Sequence, residues 1–131
     1  HKADRNRRLL LQEIRRRPDD PYIAYQLGKE HESAHEFREA ADLYLKALQL
    51  AAPGMAWRKG AAARLLHCLS QAGALEQAVV LSSELMNECQ AFPDYFFVLG
   101  NMFLDMAAAQ PALALEQWLP MAEAAWLRCL E

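Results

Sequence analysis

The sequence predicts an all-α fold built from helical hairpins, and three observations carry that prediction. Strand-forming material is missing: Val occurs only at positions 79, 80 and 98, Thr is absent, and no segment alternates apolar and polar residues over a strand's length. The second observation is recurrence. Leu27-Gly28 returns as Leu99-Gly100, Leu65 stands 34 residues before Leu99, and Phe37-Arg38-Glu39-Ala40 is matched by Leu75-Glu76-Gln77-Ala78 at an offset of 38. The third is punctuation: Pro18, Pro21, Pro53, Pro93, Pro111 and Pro120 fall where one helical pattern stops and the next begins.

The chain has 131 residues, 53% of them hydrophobic, with 5 Gly and 6 Pro, which is enough to bury one core and contains no linker. A single domain over 1–131 is therefore expected. No apolar run approaches the roughly 18 residues of a membrane span, and no signal-peptide pattern is present. The chain opens at His1 without an initiator Met, as a fragment of a longer protein would. Cys68, Cys89 and Cys129 are odd in number, far apart and free of C-x-x-C spacing. They read as small apolar residues in a reducing, cytoplasmic setting, and no cofactor is expected. Charge is uneven although the net is only -3. Residues 1–17 carry seven basic residues against two acidic ones, a net of +5, and the remaining seven basic against 15 acidic residues give -8.

Taken in order, 2–18 forms a capping helix. Ala3, Leu10, Leu11 and Ile14 lie on one side, with Arg5, Arg8, Gln12, Arg15 and Arg16 on the other. Pro18-Asp19-Asp20-Pro21 closes it and opens the next helix with Asp20 as N-cap. The first hairpin, 20–53, pairs a helix over about 21–34 with another over about 36–50, placing the small Ala40 where they cross. The second, 55–92, turns at Gly73, and its four surplus residues are assigned to 51–57, around Pro53-Gly54. The third, 93–131, begins at Pro93-Asp94-Tyr95. From Gly100 to Ala122 is 22 residues against 12 from Gly28 to Ala40, so about ten are inserted near 109–119. Pro111 and Pro120 frame them, giving a short extra helix over about 111–118 and then a separate helix from Pro120; one long helix kinked at Pro120 is the alternative.

The spacing of Leu27-Gly28, Ala40, Tyr44, Ala47 and Pro53 resembles one tetratricopeptide (TPR) unit, a 34-residue helical hairpin that needs stacked copies to bury its apolar face. The resemblance implies about three repeats in a short right-handed superhelix, with the first helix of each repeat on the concave side. It also implies a binding groove. On that register Tyr22, Tyr25, Lys29 and Ser33, then Ala63, His67, Ser70 and Gln71, then Asp94, Phe97, Asn101 and Asp105 turn inward. Aromatic rings with amides, hydroxyls and Lys29 suit a peptide or a neighbouring protein domain. Packing between helices is an equally good account of Tyr22, Tyr25 and Phe97. No Lys and Arg cluster is present of the kind with which some members clamp carboxylate termini.

His31-Glu32-Ser33-Ala34-His35 is a literal H-E-x-x-H, in which two His one helical turn apart hold zinc and the Glu activates water. Register argues against it: His31 takes a packing position, half-buried, and His35 falls at the exposed turn that Gly73 marks in the second hairpin. Zinc hydrolysis is thus the remote alternative. The basic first helix reads as a solvated cap face more readily than as a nucleic-acid or membrane surface, because the body is acidic and its apolar stripe is consumed by packing. The five Met read as core filler.

Arg5-Asn6-Arg7-Arg8-Leu9-Leu10, Glu13-Ile14, Pro18-Asp19-Asp20-Pro21, Leu27-Gly28-Lys29-Glu30 and Pro93-Asp94-Tyr95 further resemble the TPR region that follows the catalytic domain of bacterial family-2 glycosyltransferases. That resemblance implies a non-catalytic module serving an upstream catalytic domain or self-association. No D-x-D motif or nucleotide-binding α/β pattern accompanies it. A stand-alone adaptor that binds its partner in trans is the other expectation.

Overall fold

A computed structural model describes residues 2–131, apart from the side chain of Ala3, whose expected inward position lies outside the described residues. Among them the fold is all-helical. Helix α1 covers Lys2–Arg16, α2 Pro21–Ser33, α3 Phe37–Leu50, α4 Arg58–Gln71, α5 Leu75–Leu85 and α6 Pro93–Ala109. After Gln110 the chain runs through α7, Pro111–Leu113, a π-helical turn, Ala114–Trp118, and α8, Leu119–Cys129. Helices α2 and α3, α4 and α5, and α6 and α8 pack on each other as hairpins, and α4 also packs on α3 and α6.

Local chemistry explains the boundaries. Asp20 is extended (φ -82, ψ 109) and its carboxylate accepts the N–H groups of Tyr22 and Ile23, with Pro21 at the first helical position. The α2/α3 turn places His35 at φ 59, and the α4/α5 turn places Gly73 at φ 80. The two turns therefore share one left-handed residue, which costs His35 strain that Gly73 avoids.

The hairpins are locked by pairs of positions. Gly28 lies so close to Tyr44 that a β-carbon there would sit 2.7 Å from the ring; at Gly100 it would sit 2.2 Å from the Trp126 indole. By register the corresponding positions in α4 and α5 are Leu66 and Ser82, both buried. The first helix of the middle hairpin thus carries the large residue where its neighbours carry glycine. One continuous core runs from Ala24 in α2 to Ala125 in α8.

Four expectations are corrected. The 38-residue offset does not come from the connector at 51–57: both inter-hairpin connectors hold seven residues, 51–57 and 86–92, and α3 has 14 residues against 11 in α5. The α5 end is irregular because Cys89 is drawn fully into the core. The inserted segment is not a separate helix before a new start at Pro120. Helical structure is continuous from Pro111 to Cys129, bent by 117° from α6, and the π turn just before Pro120 absorbs the proline that a regular α-helix would not. Trp118, buried in that turn, donates from Nε1 to Gln110 Oε1 at 2.9 Å. On α1, Leu11 is exposed rather than inward; Arg7, Leu10, Glu13 and Ile14 make the half-buried side. Of the methionines, only Met102 and Met106 are buried, while Met55 and Met121 are exposed. No single helix among the described residues is long and apolar enough to cross a membrane.

Candidate functional site

The H-E-x-x-H segment does not assemble the geometry of its pattern. Helix α2 ends at Ser33, so His35 has left it. His31 Nδ1 is 3.1 Å from Glu36 Oε1, which also holds the Arg7 guanidinium of α1, and His35 stacks on Phe37 at 5.4 Å. Arg7, hydrogen-bonded to it, holds the Glu36 carboxyl below its ordinary value. His31 and His35 therefore serve packing and turn roles, and no cluster of three metal-ligating side chains exists among the described residues.

Glu32 has a different task. Its Oε1 accepts Tyr44 Oη at 2.6 Å and Arg64 Nη1 at 3.1 Å, joining α2, α3 and α4. Burial, reinforced by that hydrogen bond, raises the Tyr44 phenol above its usual value. The same carboxylate lies near Cys68, whose thiol is pushed up to about 12 by burial first and by Glu32 second.

Beside this hub the surface opens into two adjoining lobes. The first, about 440 Å³, is lined by Tyr25, Glu32, Arg64, His67, Asp94 and Phe97, among others. The second, about 250 Å³, is lined by Ser70, Gln71, Asn101, Leu104 and Asp105. His67 and Val98 border both, so the lobes form one groove between α4 and α6. Helical spacing explains its wall: Asp94, Phe97, Asn101 and Asp105 fall on one face of α6. Phe97 is 55% exposed there, a large ring without burial.

Of the residues expected from sequence, Tyr25, Ala63, His67, Ser70, Gln71, Asp94, Phe97, Asn101 and Asp105 line this groove. Tyr22, Lys29 and Ser33 do not. Tyr22 leans toward Trp57, 6.2 Å between rings, the Lys29 ammonium lies over the Tyr25 ring at 5.0 Å, and Ser33 is exposed at the end of α2. Tyr25 itself is mainly structural: it is buried, stacked on Trp57 at 5.0 Å, and only contributes to the rim. The groove thus lies along α4 and α6 rather than α2, because α4 packs chiefly on α3 and α6 while Trp57 fills the space beside α2. Sequence reasoning missed Glu32 and Arg64 as groove residues. Glu32 was hidden inside the apparent zinc motif, and Arg64 carries no motif.

A separate apolar depression of about 280 Å³ lies between α6 and α8, lined by Met86, Phe96, Phe103, Met121 and Arg128 among others. The Arg128 guanidinium covers the Phe96 ring at 4.7 Å. No protein-family model and no curated protein matches the sequence.

Proposed function

We propose that this chain is a non-catalytic TPR-type interaction module whose groove between α4 and α6 binds a peptide or a neighbouring protein domain. The observation that carries the reading is the joint presence of close glycine–aromatic contacts in the first and third hairpins, Gly28/Tyr44 and Gly100/Trp126, and a continuous groove along the first helices of the second and third. The exposed Phe97 ring is the natural anchor in that groove, since aromatic side chains contribute most of the energy in such interfaces. Hydrolysis with zinc is not part of the proposal, because His31 is engaged by Glu36 and His35 lies off the helix.

The resemblance of the α1 region and the Pro18-to-Pro21 junction extends the proposal to the cell: a bacterial, cytoplasmic module attached to a family-2 glycosyltransferase and serving its catalytic domain. Free Cys68, Cys89 and Cys129 are consistent with a reducing setting.

Photo-crosslinking tests the binding reading. With a photoreactive phenylalanine analogue at position 97, a specific partner adduct is expected; the same analogue at Val80, exposed on α5 outside the groove, is expected to give none. Equal yields at the two positions would sink it. The glycosyltransferase part is tested independently by the reading frame upstream of His1, where the absence of a nucleotide-binding α/β domain removes it and leaves the module.

A further inference from the structure

The groove's charges are not balanced. Over the two lobes one arginine, Arg64, stands against three carboxylates, Glu32 and Asp94 in the first and Asp105 in the second, with the His67 imidazole between them. Arg64 is already taken by Glu32 at 3.1 Å. Asp94 and Asp105 have no ion-pair partner among the described residues, and both are exposed on the groove face of α6. Lys29, the nearest lysine named in the expected site, is turned onto Tyr25 and does not enter the groove. Between the two aspartates lie Phe97 and Asn101, so the face reads acid, aromatic ring, amide, acid.

We propose, building on the groove reading above, that the occupant is a cationic peptide segment with two basic side chains flanking an apolar one. The spacing follows from geometry. Asp94 and Asp105 are eleven residues apart on one helix, about 16 Å at the α-helical rise. An extended peptide covers that in about five residues at ~3.3 Å each. Side chains of an extended peptide share a face only at even spacings, so basic residues four or six positions apart, whose long side chains make up the difference in length, would meet Asp94 and Asp105 while an apolar side chain between them rests on Phe97, with Asn101 within reach of the peptide backbone. An acidic segment is disfavoured by the same two carboxylates, which is how like charge excludes a wrong partner.

The experiment is selection of a random heptapeptide display library on the intact chain, followed by affinity measurement of the recovered peptides by fluorescence anisotropy. Recovered sequences are expected to carry lysine or arginine pairs four or six apart around an apolar residue. Asp94→Asn with Asp105→Asn, exposed isosteric changes whose folding is checked by a melting curve, is expected to weaken them about tenfold, the product of two ordinary exposed ion pairs. Binding should also weaken as salt is raised through about 0.15 M. Peptides that are neutral or acidic, yet lose binding in Phe97→Ala, would overturn the cationic assignment and leave the groove reading standing. Recovery of no peptide sensitive to Phe97→Ala would overturn both. Salt-sensitive self-association that disappears in Arg5→Ser with Arg8→Ser would give the groove to the basic α1 of a second copy and overturn the peptide.

Discussion

Tyr44 is the side chain on which the first hairpin depends, and Gly28 is what gives it room. In an exposed mid-helix site, Gly→Ala gains up to about 1 kcal/mol of helix propensity. At Gly28 the sign reverses, because the new methyl meets a ring that is fully buried and tied by its hydroxyl to Glu32, leaving it nowhere to move. Gly28→Ala is expected to cost about 1–3 kcal/mol, read as a lower melting temperature. Gly100→Ala, despite the shorter 2.2 Å approach, should cost less, since Trp126 is only half-buried and can swing aside. The thiols separate in the same way. Cys68 is buried and pushed up to about 12, Cys89 buried and pushed up to about 11, in both cases chiefly by burial. A disulfide reagent at about pH 8 should therefore modify half-buried Cys129 first in the native protein, and Cys68 and Cys89 only on unfolding. Asp20 as a cap and Gly73 as a turn were legible in the sequence because their signals are local. The role of Glu32 was not: its partners Tyr44 and Arg64 come from two other helices, and no spacing rule connects them.

At the scale of elements, Arg58 joins successive hairpins. Its Nη1 donates to the carbonyls of Leu48 at 2.7 Å and Ala51 at 2.9 Å, closing the C-terminal end of α3, while its Nε and Nη2 hold the Glu88 carboxylate at 2.6 and 3.1 Å. Its side chain is only 13% exposed. Arg58→Ala leaves two carbonyls and a carboxylate without their donor and is expected to cost about 2–3 kcal/mol, measured by denaturant unfolding. Arg58→Lys should restore only part, because an ammonium cannot make the bidentate contact. Helix existence was readable throughout, since long amphipathic periods and prolines are strong signals. Where the last helix begins was not, because proline permits two solutions, a fresh start or a π turn, and the choice rests on Trp118 finding Gln110 in the folded chain.

For the molecule as a whole, acid stability follows from its ion pairs. Glu88 is held below its ordinary value of 4.5 by the hydrogen bond from Arg58, Glu36 by Arg7 and Glu13 by Arg17. A depressed carboxyl contributes stability that is present above its unfolded value and is lost as pH falls through its folded value. The melting temperature should therefore hold through neutral pH and fall below about pH 4.5. Glu88→Gln should show a smaller fall, compared in melting curves at about pH 7 and pH 3. The hairpin recurrence and the presence of a groove were legible from register, but its displacement toward α4 and α6 was not, because it depends on how Trp57 seats beside Tyr25. Gly28 under Tyr44 and Gly100 under Trp126, with the bulky Leu66 at the matching position of α4 and the small Ser82 at that of α5, carry a further consequence. Related hairpins in one chain invite mispairing during folding, since a first helix can offer itself to more than one second helix. Here α4 against α3 in hairpin fashion would set Leu66 on Tyr44, and α2 against α5 would leave a void between Gly28 and Ser82. The middle hairpin is thereby keyed apart from the outer two, so exchange of α4 with α2 or α6 is opposed by size while the chain is still collapsing, whereas α2 and α6, which both carry glycine, are not told apart in this way.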